Sequence, residues 1–154
     1  MEFETGMSSE SRAAVAGALS KLLADTYTVY LKTQNFHWNI SGIEFYPLHI
    51  LSQKQYEEMA EAVDEIAERV RALGFFVEGS MEAFLNLSSV EEDHKIHPKH
   101  ILLEHLIKAH EVVIREARSL GKLAEKHEDH ATVDLIGRRL GAHEQMVWML
   151  RSTL

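Results

Sequence analysis

Cysteine is absent from the 154-residue chain. That excludes a disulfide scaffold, a thiol nucleophile, an iron–sulfur cluster and a cysteine-based zinc finger. Proline occurs only twice, at Pro47 and Pro98, so long helices meet little interruption. Positive charge is scarce: 16 Lys and Arg stand against 24 Asp and Glu, a formal net charge of −8. This balance argues against a nucleic-acid binder that works by charge alone. No apolar run approaches the ~20 residues needed to cross a bilayer. The first ten residues lack the basic and apolar segments of a secretory leader, so a cytoplasmic setting without membrane contact is expected. Histidine, by contrast, is abundant: ten residues, which with the carboxylates point towards metal.

The apolar pattern is helical throughout. Residues 1–9 read as a flexible tail with a helix cap at Ser8 or Ser9, and residues 10–154 as one domain. A first helix runs from about Glu10 to Asn39, with Val15, Leu19, Leu22, Val29 and Phe36 on one stripe. A second begins around Pro47, carries Met59, Ile66 and Val70, and ends near Gly74. Residues 74–98 break the pattern, with a short helical piece from Met81. A third helix starts near Pro98, and a polar segment from Lys126 to Ala131 separates it from a fourth. Four long amphipathic helices with one long middle connection predict an all-α fold. The class is a ferritin-like four-helix bundle whose crossover, between the second and third helices, carries a short helix.

Four residues form a candidate ligand set: His37, His49, Asp64 and Glu68. Asp64 and Glu68 are four apart and share a helical face, or else belong to a solvated acidic face with Glu57, Glu58, Glu61 and Glu65; Arg71, three residues on, is placed to relieve Glu68. His49 and Asp64 lie fifteen residues apart on one helix, roughly 22 Å at 1.5 Å per residue. Metal–ligand bonds are only about 2–2.3 Å long, so one straight chain cannot bring both to the same ion. If all four are ligands, the histidines of one subunit meet the carboxylates of another, and a two-fold axis creates two equivalent sites. Mixed imidazole and carboxylate ligation suits Fe(II) and Zn(II).

The run Phe36-His37-Trp38-Asn39-Ile40-Ser41-Gly42, then Phe45, Leu48-His49, Tyr56 and Asp64-Glu65-Ile66-Ala67-Glu68-Arg69, resembles the signature of the Dps family, the mini-ferritins. The resemblance covers nearly the whole chain, through Trp148-Met149-Leu150-Arg151. It implies a hollow dodecameric homo-oligomer that binds Fe(II), oxidises it, usually with hydrogen peroxide and alternatively with dioxygen, and stores ferric mineral. Carried over by position, His37 and His49 ligate iron from one subunit and Asp64 and Glu68 from its two-fold partner. Trp38 lies beside this ferroxidase site and intercepts oxidising equivalents, or else is a core or interface aromatic. Many family members have a carboxylate four residues after the second histidine. Gln53 stands there in this chain, which weakens the second iron position.

Glu125, Glu128, Asp129 and Asp134 resemble the lining of the acidic pores through which Dps cages admit iron. The alternative is a solvated helix end with Asp129 near an N-cap. His94, His97 and His100 are either a secondary surface metal site or exposed loop histidines. His143 falls in the apolar stripe of the fourth helix and is expected to be buried and hydrogen-bonded. Family members that compact DNA usually do so through Lys- and Arg-rich tails. Here Glu2, Glu4 and Glu10 face Arg12 alone, so DNA binding is not expected.

Overall fold

A computed structural model describes residues 4–154 of the chain. Among these residues there are five helices and no strand: α1 (Ser9–Asn39), α2 (Phe45–Ala72), α3 (Met81–Leu87), α4 (Lys99–Lys126) and α5 (His130–Arg151). The four long helices form the bundle, and α3 sits in the crossover. Residues 1–3 of the expected tail lie outside the described residues; Met7 already packs on the core and Ser8 caps α1.

Local chemistry sets the helix ends. Ser8 Oγ accepts the N–H of Ser11 at 3.1 Å, and Ser80 Oγ accepts that of Ala83 at 3.1 Å. Pro47 falls in the first turn of α2, where no helical donor is lost. Gly74, with φ +98°, takes the left-handed turn that ends α2. Pro98 stands at the N-cap of α4.

Polar contacts fix the helix directions. At one end of the bundle, Arg69 near the end of α2 meets Asp129 just past α4. There too, His127 reaches Ser11 and Arg12 reaches the Leu73 carbonyl. At the other end, Glu44 before α2 pairs with Lys99 at the start of α4. Helices α2 and α4 therefore run parallel, and residues 73–98 must return along the bundle. Buried side chains on α1 strap this return path down. Asp25 accepts from the Ser89 N–H at 2.6 Å and from the Ser88 hydroxyl at 3.0 Å. Lys32 pairs with Asp93 at 2.6 Å.

The core is one cluster between the long helices, built from Leu19, Leu22, Phe36, Met59, Ile66, Leu106, Val113, Ile136 and Leu150 among others. The helical stripes read from the sequence are the faces that enter it. Among the described residues, no helix is long and apolar enough to cross a membrane.

Candidate metal centre

His37 lies in the last turn of α1 and His49 near the start of α2, and the tight turn between the helices brings them together. Their rings stack with centroids 3.7 Å apart and planes within 16°. Each ring is held by the other residue's backbone. His37 Nδ1 lies 2.9 Å from the His49 carbonyl, and His49 Nδ1 lies 3.1 Å from the His37 carbonyl. A ring nitrogen facing a carbonyl oxygen can only donate, so both Nδ1 atoms carry the proton. In a neutral imidazole that leaves both Nε2 lone pairs open, the form a metal requires. Tyr56 packs edge-on to His37 at 5.2 Å and Phe45 stacks on His49 at 4.8 Å, walling the pair. Ser52, unremarked in the sequence, donates to the Leu48 carbonyl at 2.7 Å and rests 3.3 Å from His37 Nδ1. Its position three residues after His49, on the same face of α2, is the signal that could have singled it out.

Asp64 and Glu68 are exposed on α2. No hydrogen bond or ion pair engages either among the described residues, whereas their neighbours are spoken for. Glu58 pairs with Arg139 on α5, and Glu65 pairs with Arg138 at 2.6 Å. Arg71 does not relieve Glu68 as its spacing suggested. It donates instead to the Phe75 carbonyl at 3.0 Å and lies 4.3 Å from the Phe76 ring centre, held by the turn that follows α2. The two histidines and the two carboxylates are thus separate groups on one chain, with His49 and Asp64 far apart along α2.

A ferritin-like domain model matches residues 16–154. The chain is 37% identical over 149 residues to an uncharacterised low temperature-induced protein of Nostoc, covering 96% of this chain and 83% of that protein. It is 34% identical to the DNA protection during starvation protein of Porphyromonas gingivalis, covering 95% of this chain and 92% of the relative. The structure matches that of a Dps protein from Vibrio cholerae, described as a member of the ferritin-like diiron-carboxylate superfamily. That match has a TM-score of 0.90 at 27% identity and covers 95% of this chain and 92% of the other. The chain belongs to the Dps family of mini-ferritins.

In this Dps-family chain the remaining candidates divide by exposure. Trp38, next to His37, is 63% exposed. Gln53 donates to Glu57 at 2.8 Å. Glu125 and Glu128 are exposed at the α4–α5 connection, and Asp134 is exposed beside Arg138 at 3.1 Å. Asp129 turns inward. It caps α5 by accepting from the Thr132 N–H at 3.0 Å, and it pairs with Arg69 at 2.7 Å. Burial works against its charge, but the Thr132 bonds and the Arg69 guanidinium outweigh that and hold its pKa below the usual carboxylate value. Its geometry matches the N-cap alternative.

The other histidines separate too. His94 and His100 are exposed and do not gather with His97, because Pro98 ends the extended segment and the three never share a helix. His110 and His143 are fully buried and meet at 2.9 Å between their Nδ1 atoms, with Arg139 lying 3.4 Å from His143 Nε2. Arginine can only donate, so His143 carries its proton on Nδ1 and gives it to His110 Nδ1. His110 then holds its proton on Nε2, which finds no partner among the described residues. Burial, and then the charge of Arg139, pushes the His110 pKa down to about 3. Burial, then His110 and Arg139, lowers His143 well below its ordinary value.

Proposed function

We propose that the chain is a ferroxidase and iron-storage protein: it binds Fe(II), oxidises it at sites shared between two subunits, and retains the ferric product in a hollow dodecameric cage, limiting oxidative damage. The supporting observation is the stacked His37–His49 pair, whose mutual backbone bonds occupy both Nδ1 atoms and leave two Nε2 lone pairs open. The donors these rings lack, two carboxylates without partners among the described residues, stand at Asp64 and Glu68, about 22 Å along α2. A second copy related by a two-fold axis supplies them. Large exposed apolar side chains, including Trp38, Tyr46 and Phe76, suit burial against such a copy.

In this proposal two imidazoles and two carboxylates make a mixed donor set that accepts Fe(II) and, once an electron leaves, favours Fe(III) through the carboxylate charge. Hydrogen peroxide is the oxidant. It takes one electron from each of two Fe(II) ions and two protons from solvent, and departs as two waters. Trp38, which follows His37 in the chain and lines a cleft with Asn35, Glu92 and Asp93, intercepts stray oxidising equivalents. Gln53, a neutral amide turned towards Glu57, makes the second iron position the weaker one. Glu125, Glu128 and Asp134 supply a negative potential that draws Fe(II) inwards, with Asp129 positioning the turn that carries them.

The test is anaerobic Fe(II) loading followed by stoichiometric peroxide, read as ferric absorbance, with dioxygen as the parallel arm. His37→Ala/His49→Ala and Asp64→Ala/Glu68→Ala should each slow oxidation, and co-assembling the two variants should restore part of it. Wild-type rates in both double variants would overturn the assignment. DNA compaction is the reading this proposal rejects, and a tight, salt-sensitive gel shift at neutral pH would reinstate it.

A further inference from the structure

Outside the His37–His49 site, one cluster of ligand-type side chains converges: Asp93 and His97 from the end of the crossover, and His105 from the second turn of α4. One donor atom from each lies within 4.8 Å of the others, the only such group of three among the described residues. Asp93 Oδ1 is 2.7 Å from His105 Nδ1, and the His97 and His105 rings stand edge to face with centroids 5.1 Å apart. Pro98 accounts for the convergence. It disfavours helical backbone at His97, which stays just outside α4 and packs edge-on against His105. Lys32, from α1, pairs with Asp93 Oδ2 at 2.6 Å, and the two side chains are 8% and 10% exposed.

We propose that Asp93, His97 and His105 form a binding site for a divalent first-row transition ion, of the Zn(II) and Fe(II) class. Two imidazoles and one carboxylate are a donor set that such ions favour. His105 moves its proton from Nδ1 to Nε2, and the ion takes the place of that proton between His105 Nδ1 and Asp93 Oδ1. Donors on a sphere of about 2.0–2.1 Å radius lie roughly 2.9–3.4 Å apart, so Asp93 and His105 separate by well under 1 Å. His97, partly exposed and outside the helix, closes by side-chain rotation. Lys32 stays on Oδ2 as the outer partner that keeps the carboxylate monodentate and oriented, the role such partners play around metal ligands. The site opens into a cleft of about 530 Å³ that also reaches Glu111, Val112 and Arg115, leaving room for water in the remaining coordination positions. An ion here ties the crossover to α4, adding to the straps from α1.

Co(II) and Zn(II) binding to the assembled His37→Ala/His49→Ala protein tests this apart from the ferroxidase proposal. Titration calorimetry and the visible spectrum of bound Co(II) should show one site per chain. Adding His97→Ala or Asp93→Asn should weaken it by at least about 10–100-fold, the loss that follows removal of even an outer partner of a metal ligand. His94→Ala/His100→Ala, at exposed neighbours, should leave it unchanged. Far-ultraviolet circular dichroism confirms that each variant is folded. Absence of the site in the His37→Ala/His49→Ala protein, or affinity unaffected by either His97→Ala or Asp93→Asn, would overturn the proposal.

Discussion

Acidification should destabilise this protein through His110, by an amount the structure sets. The buried His110–His143 pair is neutral in the fold, with His110 titrating at about 3 against 6.5 in an unfolded chain. The folded pKa lies below the unfolded one, so the unfolded state binds more protons between these values. Stability is whole above about pH 6.5 and falls as pH drops towards 3. Each pH unit inside that window costs about 1.4 kcal/mol per histidine. At roughly pH 5 the His110 contribution is therefore about 2 kcal/mol of lost stability, and His143 shifts in the same direction. His110→Gln removes the titrating group and keeps a carbonyl to accept from His143. Urea unfolding followed by circular dichroism, at fixed protein concentration and at several pH values between about 7 and 4.5, gives the comparison. The variant should start less stable at neutral pH and lose stability less steeply, its slope smaller by about 1.4 kcal/mol per pH unit. Parallel curves for the two proteins would refute the reasoning, since they would mean that His110 is protonated equally in both states.

Three further outcomes are expected. Asp129→Ala removes the α5 cap and strands Arg69, at a cost of about 3 kcal/mol near neutral pH. Asp129→Asn keeps a capping oxygen and should cost less, so equal falls in Tm would show that the cap contributes nothing. Because the folded Asp129 pKa is depressed, its charge-pair contribution is present above the ordinary carboxylate pKa and is lost as pH falls through the folded value. Glu128 holds a left-handed backbone with φ 56° in the α4–α5 turn. Glu128→Gly should therefore raise stability by about 1 kcal/mol in chemical unfolding, and a loss would contradict the strain argument. Gln53→Glu supplies a carboxylate beside the histidine pair and should increase the Fe(II) bound per subunit in anaerobic titration; unchanged stoichiometry would show that Gln53 does not limit the second position.

Much of this architecture is legible in the sequence because it is set locally. Ser8, Pro47, Gly74 and Pro98 mark helix ends by backbone chemistry that depends on a few neighbours. The apolar stripes are the buried faces for the same reason, and His143 is buried because it lies on one. The His37–His49 pair is legible because both residues flank a single tight turn. Contacts between distant segments were not. Arg139 with Glu58 and Arg69 with Asp129 are joined by helix packing, which spacing along the chain does not encode. Spacing misled at Arg71, where the turn after α2 redirects the side chain to Phe75 and Phe76. For His94, His97 and His100 the sequence left a surface metal site and exposed loop histidines both open; His94 and His97 precede α4, His100 lies in its first turn, and His97 meets Asp93 and His105 instead.

The lengths of the last two helices bear on how this molecule can be extended. Helix α5 has 22 residues and α4 has 28, and Arg151 pairs with Glu111, well short of the start of α4. The α1 start lies at the Arg69–Asp129 end of the bundle, while α5 begins there and runs away from it. The first and last helical residues are therefore separated by roughly the length of α5, about 33 Å. A linker joining them for circular permutation needs at least about ten extended residues. Peptides joined at the α1 start and at the α5 end would leave the bundle at different levels and not compete for the same space.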